Sequence, residues 1–210
     1  FINLNHLPTV LKNIREKFPD FEEIKIDNKK IIKDGIPSTA SCGVVIAHYK
    51  TPLSDVLNWV RRMEKEEAKK VDGKNSCAIA VLKHSGEIVK TIFKWKYCSD
   101  NKTTWTTDLM DNLIKMLSRD IISSNFITTL NREFLPLMEQ DGSYKEGIIV
   151  EKELERLLKR SYEHSKKEDK EFEKLLMNLK AFYSPPITLR NFLSFLNIIR
   201  FIAREVHYAD

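Results

Sequence analysis

The distribution of apolar residues along the chain changes near residue 100. Before that point, two short runs that are almost wholly apolar, over 40–47 and 77–82, are separated by an amphipathic stretch. Such runs are typical of strands buried on both faces, and the stretch between them repeats its apolar residues at helical spacing. The pattern therefore predicts a strand, a helix and a second strand.

The remaining elements before residue 100 follow from the same rules. A proline in the first turn and apolar residues on one face predict a helix over 7–18. Two β-like pieces, 23–26 and 30–32, flank an Asp-Asn turn and predict a hairpin. Lysines alternate with aromatic residues over 88–97, which predicts a half-exposed strand with Trp95 packed inward. A platform on which bases stack is the alternative for this last stretch.

The helix between the two apolar runs has recognisable ends. Thr51 is the predicted N-cap, because a proline follows it in the first turn and Asp55 complements the helix dipole. Gly73 is the predicted point at which the chain turns away from the helical segment. The predicted buried stripe consists of Leu53, Val56, Leu57, Val60 and Ala68.

After residue 99 the strand signal almost disappears. Helical spacing predicts helices over 107–117, 124–139, 151–165, 170–183 and from an N-cap at 188 to about 206. The last helix is apolar on nearly all sides, which predicts the centre of a bundle, with an interface to another subunit as the alternative. We therefore expect an α+β fold: a sheet-containing domain over 1–99, then an all-α helical bundle domain over 100–210.

Composition excludes some classes of protein. The 210 residues are 42% hydrophobic, enough for a core, and the net charge of +5 permits a nucleic-acid partner without requiring one. The three cysteines are far apart and the histidines lack ligand spacing, so no metal site is predicted. With no signal peptide and no apolar run of membrane-spanning length, we expect a cytoplasmic protein without a membrane partner.

The most distinctive chemistry is a basic turn before the second apolar run. Lys69 and Lys74 flank Gly73 there, and lysine ammonium groups are point charges suited to the oxygens of a triphosphate. The Gly73 backbone amide would add a donor. Ser41 and Gly43 lie at the start of the first run, where small residues let a ligand approach. The alternative for each lysine is a solvated cation that complements the helix dipole.

These residues resemble parts of known nucleotide cyclases. Ser41-Cys42-Gly43, Ala68-Lys69 and Gly73-Lys74-Asn75 resemble the second half of GGDEF-type cyclase domains, although the turn is one residue longer than is usual there. The strings Ile46-Ala47-His48-Tyr49-Lys50-Thr51-Pro52-Leu53 and Leu82-Lys83-His84-Ser85-Gly86 resemble a more specific family. That family is the large polymerase/cyclase-like subunit of type III-B CRISPR effector complexes.

The resemblance implies a partial ferredoxin-like palm followed by a C-terminal helical domain. In that family two palm domains face each other, bind two ATP molecules with Mg or Mn, and make cyclic oligoadenylates. His48 would touch a base or ribose, with a partly buried polar residue as the alternative. The implied nucleotide-binding residues are Ser41, Gly43, His48, Lys69, Gly73 and Lys74.

The family's metal-binding Gly-Gly-Asp-Asp hairpin does not occur in this sequence. By domain order it should lie immediately before Phe1, so we expect the chain to be a C-terminal fragment without catalytic residues or metal ligands, inactive by itself. The implied partners are the small helical subunit and backbone subunits of the effector complex, with guide RNA and target RNA contacted indirectly. The alternative is a non-catalytic scaffold with an inert palm. An ordinary diguanylate cyclase is a weaker interpretation because those domains do not carry this helical tail.

Overall fold

Strands and helices alternate through the first half of the chain, and helices fill the second half. The structure is a computed structural model that describes residues 2–18, 24–26, 29–31, 39–100, 102–142, 147–162, 170–184 and 187–206. The strands are β1 Ile24–Ile26, β2 Lys29–Ile31, β3 Cys42–Ala47, β4 Ser76–Leu82, β5 Ile88–Lys94, β6 Lys96–Ser99 and β7 Lys102–Trp105. The helices are α1 Leu7–Glu16, α2 Leu53–Arg62, α3 Thr106–Ser118, α4 Asn125–Phe134, α5 Gly147–Ser161, α6 Lys170–Phe182 and α7 Leu189–Glu205.

The main sheet has the strand order β3-β4-β5. β3 and β4 are parallel, with Cys42 opposite Cys77 and Ala47 opposite Leu82, while β5 runs antiparallel to β4. α2 connects the two parallel strands, which confirms the predicted strand, helix and strand. The predicted hairpin is also confirmed as the antiparallel pair β1 and β2, although its turn lies outside the described residues. A ferredoxin-like topology stays a prediction.

The two faces of the sheet pack against different partners. On one face, Ala78 and Ala80 contact Met63 and Ala68 in a small core beneath α2 and the turns that follow it. The opposite face carries larger side chains and joins the main core formed by the helices. There the Phe93 ring meets Phe195 of α7 edge to face, with 5.6 Å between centroids. Because one face carries small residues and the other carries large ones, the layers packed on the two faces lie at different distances from the sheet.

Several predicted details of the first half are wrong. β3 is half-buried along its whole length, because it is the edge strand of its sheet among the described residues. The predicted stripe is only partly buried: Leu53 and Leu57 are 52% and 45% exposed, whereas Val56 and Val60 are half-buried and Ala68 is buried. Thr51 is not the N-cap: Pro52 holds that position, and the Thr51 amide donates to the His48 carbonyl oxygen at 2.8 Å.

The strand predicted over 88–97 is interrupted at Trp95, which separates β5 from β6. The Trp95 side chain is only 1% exposed, and its indole N–H donates to the carbonyl oxygen of Ala40 at 2.7 Å. The inward packing of Trp95 is therefore confirmed. An indole held in this way offers no free face for a stacking base.

The helices of the second half largely match the predicted periods. Thr188 caps α7, accepting a hydrogen bond from the Asn191 amide, and the apolar side chains of α7 are buried, which confirms it as the central helix. β7 precedes the first of these helices, so the part after residue 99 is not wholly helical. The main core also joins sheet and helices across the predicted boundary at residue 99. Among the described helices, none is both long and apolar enough to cross a membrane.

Asn191 of α7 hydrogen-bonds to the edge of β5 that faces away from β4. Its side-chain oxygen accepts from the Ile92 amide at 2.8 Å and from the Thr91 hydroxyl at 2.9 Å, and its amide group donates to the Ile92 carbonyl oxygen. One side chain thus supplies the hydrogen bonds that a neighbouring strand would otherwise make. This contact fixes the central helix against the sheet.

Candidate functional site

The basic turn lies where β3 and β4 begin, at one end of the main sheet. Three consecutive residues of the turn have positive φ angles, 66° at Gly73, 50° at Lys74 and 51° at Asn75. Such angles are uncommon outside glycine, so two of these residues hold a conformation that their surroundings must stabilise. The Lys74 amide donates to the Val71 carbonyl oxygen at 2.7 Å, which closes the turn.

Asn75 connects the turn to two other elements. Its side-chain oxygen accepts from Nε of Arg15 at 2.8 Å, and from the backbone amide of Ala40 at 3.4 Å. α1, the residue before β3 and the basic turn therefore share one hydrogen-bond acceptor. Arg15 is a cation of this site that the sequence did not reveal, because it lies 60 positions from Asn75.

Lys94 is a second cation that sequence reasoning missed. Its ammonium group donates to the backbone carbonyl oxygens of Asp72 and Lys74, on either side of Gly73. Burial lowers the pKa of Lys94, and the charge of the Asp72 carboxylate opposes that shift. The only sequence signal for Lys94 was the alternation of lysines along β5. This alternation places Lys94 on the face of the sheet that α2 covers.

The two predicted phosphate-binding lysines have different surroundings. The Lys69 ammonium group lies 2.6 Å from Oε1 of Glu64, and the two side chains are 46% and 35% exposed. Lys74 is exposed, and its ammonium group makes no ion pair with the described residues. One positive charge at the turn is therefore paired with a surface carboxylate and the other faces solvent.

Gly43 is required by the approach of the helical segment that follows β3. A Cβ atom there would lie 2.5 Å from the backbone nitrogen of Glu64 and 2.6 Å from the carbonyl oxygen of Val60. The close contact expected for a ligand is thus made by the protein backbone, and nucleotide contact at Gly43 stays a prediction. Nearby, the Ser41 hydroxyl oxygen is buried and has no hydrogen-bond partner among the described residues.

His48 lies at the opposite end of the sheet from the other predicted site residues. Seven residues of extended chain separate it from Ser41, or about 23 Å at 3.3 Å per residue. Its Nδ1 accepts from the Lys50 amide at 3.3 Å, and its ring centroid lies 4.4 Å from Tyr49 and 5.9 Å from His84. The structure therefore brings together Ser41, Gly43, Lys69, Gly73 and Lys74 and separates His48 from them.

The described residues offer no metal centre: no three histidine, cysteine, aspartate or glutamate side chains among them could hold an ion. Cys42 and Cys77 are opposite each other in the register of β3 and β4. Burial raises the pKa of the Cys77 thiol, which is fully enclosed, so Cys77 belongs to the core and not to a reactive site. The turn itself presents the exposed Lys74 and the partly exposed Lys69 to solvent.

Comparison with known proteins gives two matches. Residues 1–78 match the family model described as Cas10/Cmr2, second palm domain. A segment of 56 residues is 41% identical to the CRISPR system Cmr subunit Cmr2 of Pyrococcus furiosus, and it covers 27% of this chain and 6% of that protein. The chain thus matches only a small part of this relative's length. The basic turn lies inside the match to the family model, whereas α3 to α7 lie outside it. The matched part of the chain, residues 1–78, is therefore similar to the second palm domain of the Cas10/Cmr2 family.

Proposed function

We propose that the basic turn binds the phosphates of ATP within the large subunit of a type III-B CRISPR effector complex. The observation that carries the proposal is the placement of Lys69, Gly73 and Lys74 around one turn at the end of two parallel strands. The Lys74 ammonium group has no ion pair among the described residues, so it is available to an anion. The match of residues 1–78 to the Cas10/Cmr2 second palm domain supports ATP as that anion.

Lys69 can exchange its carboxylate partner for a phosphate at small cost. Both members of the Lys69–Glu64 pair are exposed by a third or more, and a pair of this kind contributes at most about 1 kcal/mol. A triphosphate presents several charged oxygens, and lysine binds such oxygens as a point charge. Binding would therefore replace one weak ion pair with contacts to a more highly charged ligand.

Metal chemistry does not fit the described residues, because no group of carboxylates among them can hold a divalent ion. The proposed role of this chain is therefore to bind and orient ATP. Synthesis of cyclic oligoadenylates from ATP, with Mg or Mn, is proposed for the complete subunit only because residues 1–78 resemble the Cas10/Cmr2 second palm domain. By itself the chain is expected to be inactive.

A second function, scaffolding, is favoured by apolar side chains on the surface of the helical half. Leu135, Leu137 and Ile148 are 49%, 56% and 69% exposed, near the end of α4 and the start of α5. A contiguous apolar surface is typical of protein interfaces, so the proposal requires that these three side chains face the same partner. The small helical subunit and the backbone subunits of the complex are the proposed partners, with guide and target RNA contacted through them. In this function the palm would be inert.

The test is a calorimetric titration of ATP into the complete subunit. Lys69→Gln/Lys74→Gln should weaken ATP binding by roughly tenfold for each lysine, because a factor of ten corresponds to about 1.4 kcal/mol. Lys152→Gln/Lys170→Gln is the control, since it removes the same charge at exposed positions in the helical half. If the first variant binds ATP as tightly as the control, only the scaffold function remains.

A further inference from the structure

A second site is present at the end of the main sheet remote from the basic turn. A cleft of about 550 Å³ separates the ends of β3 and β4 from the C-terminal half of α7. The sheet side supplies His48, Tyr49, Lys83 and His84, and the helix side supplies Arg200 and Arg204. The cleft therefore combines aromatic rings on one wall with guanidinium groups on the other.

Positive charge predominates in this cleft. Lys83 pairs with Glu87 at 2.9 Å, and Arg200 donates to the Thr128 hydroxyl at 2.6 Å. Arg204 is exposed and makes no hydrogen bond or ion pair with the described residues. Among the described residues that line the cleft, only Glu205 carries a carboxylate. An anion entering the cleft thus meets one unpaired guanidinium and a second whose partner is a neutral hydroxyl.

The rings provide a surface for a flat, uncharged group beside that positive charge. His48 lies between Tyr49 and His84, and the Tyr49 side chain is 84% exposed. Apolar side chains, including Ile46 and Leu82, line the cleft as well. Exposed aromatic faces next to arginines are the combination that binds a base together with its phosphate. A ligand with a phosphate alone would leave the rings unused.

We propose that this cleft binds a nucleotide unit, with its base against the rings of His48, Tyr49 and His84 and its phosphate held by Arg200 and Arg204. The unit is either a free nucleotide or one residue of a single RNA strand, since both present a base next to a phosphate. The cleft is separate from the proposed ATP site, because the two lie at opposite ends of β3, about 23 Å apart at the rise of a strand. This site gives His48 the base contact that the sequence predicted, at a different place.

The experiment measures binding of two probes to the full chain by fluorescence anisotropy and fluorescence intensity. One probe is a fluorescein-labelled oligouridylate of ten nucleotides, and the other is AMP carrying a fluorescent group on its ribose. Arg200→Gln/Arg204→Gln should weaken binding at least tenfold. With the RNA probe, it should also lower the salt slope by about 0.7, because the two arginines hold one phosphate and each phosphate contact to a single strand contributes about 0.7. Tyr49→Ser should weaken binding at least about fivefold through loss of stacking.

The matched control is Arg119→Gln/Arg160→Gln, which removes two exposed arginines from the helical half. It should leave binding within twofold of the unchanged chain. Binding of AMP identifies a free nucleotide as the ligand, and binding of the RNA probe alone identifies a strand. Binding of neither probe overturns the proposal. An equal loss in the control and the cleft variant also overturns it, because binding would then depend on net charge only.

Discussion

Gly43→Ala tests whether the glycine of β3 is required by the helical segment or by a ligand. The added methyl carbon would lie 2.5 Å from the Glu64 nitrogen and 2.6 Å from the Val60 oxygen, both of them backbone atoms. Neither atom can move without shifting α2 or the π-helical turn at 63–67. We therefore expect the ligand-free protein to be destabilised.

The expected loss of stability is the difference between the cost of overpacking and a smaller gain from the unfolded state. Overpacking costs about 1–3 kcal/mol, and contact with two backbone atoms places Gly43→Ala near the upper limit. The alanine also reduces the conformational freedom of the unfolded chain, which stabilises the folded protein by about 0.4–1 kcal/mol. The net loss of about 2 kcal/mol should lower the melting temperature by roughly 4–8 °C in a chain of this length.

The assay is thermal unfolding followed by circular dichroism, with urea unfolding as a second measure. Ser41→Ala is the control, because it removes a buried hydroxyl without a partner among the described residues and adds no atom. It should leave stability unchanged or raise it by up to about 1 kcal/mol. A Gly43→Ala melting temperature within about 1 °C of the unchanged protein would refute the reasoning, since an overlap with fixed backbone cannot be free of cost.

Two further predictions concern contacts between distant parts of the chain. Asn191→Ala should lower the free energy of unfolding in urea by about 2 kcal/mol, because Ile92 loses the partners of its amide and carbonyl; a loss below about 0.5 kcal/mol would contradict this. Hydrogen bonds from Lys159 and then Lys180 lower the pKa of Glu155 from 4.5 to about 2. A carboxyl whose pKa is lowered by folding stabilises the protein above its unfolded value, so this contribution disappears as the pH falls from 4.5 to 2. Glu155→Gln should therefore be less stable at neutral pH, by at most about 1 kcal/mol at this part-exposed site, and its melting temperature should converge with that of the unchanged protein near pH 2; a gap that persists there would contradict the assignment.

Features that depend on neighbouring residues in the sequence were predictable. The period of apolar residues located α1, α3, α6 and α7, and the cap at Thr188 follows from a local hydrogen bond. The inward position of Trp95 also followed from alternation. In each case the sequence pattern that predicted the feature spans only a few positions.

Features that depend on distant partners were not predictable in the same way. β3 has an apolar sequence typical of a central strand, yet its burial is set by whether another strand pairs with its outer side. The contact between Arg15 and Asn75 joins residues 60 positions apart and leaves no spacing pattern. The location of His48 was implicit, however, because parallel pairing of β3 with β4 places His48 near His84 and away from the basic turn.

The hydrogen bonds of Asn191 have a consequence for how this sheet can grow. With the amide and carbonyl of Ile92 already engaged, a further strand could pair with β5 at that residue only by displacing Asn191. Among the described residues, the outer edge of β3 meets no such obstacle, so a fourth strand is expected there. Its backbone would then run beside Ser41 and Cys42, at the end of β3 where Asn75 holds Arg15 and Ala40.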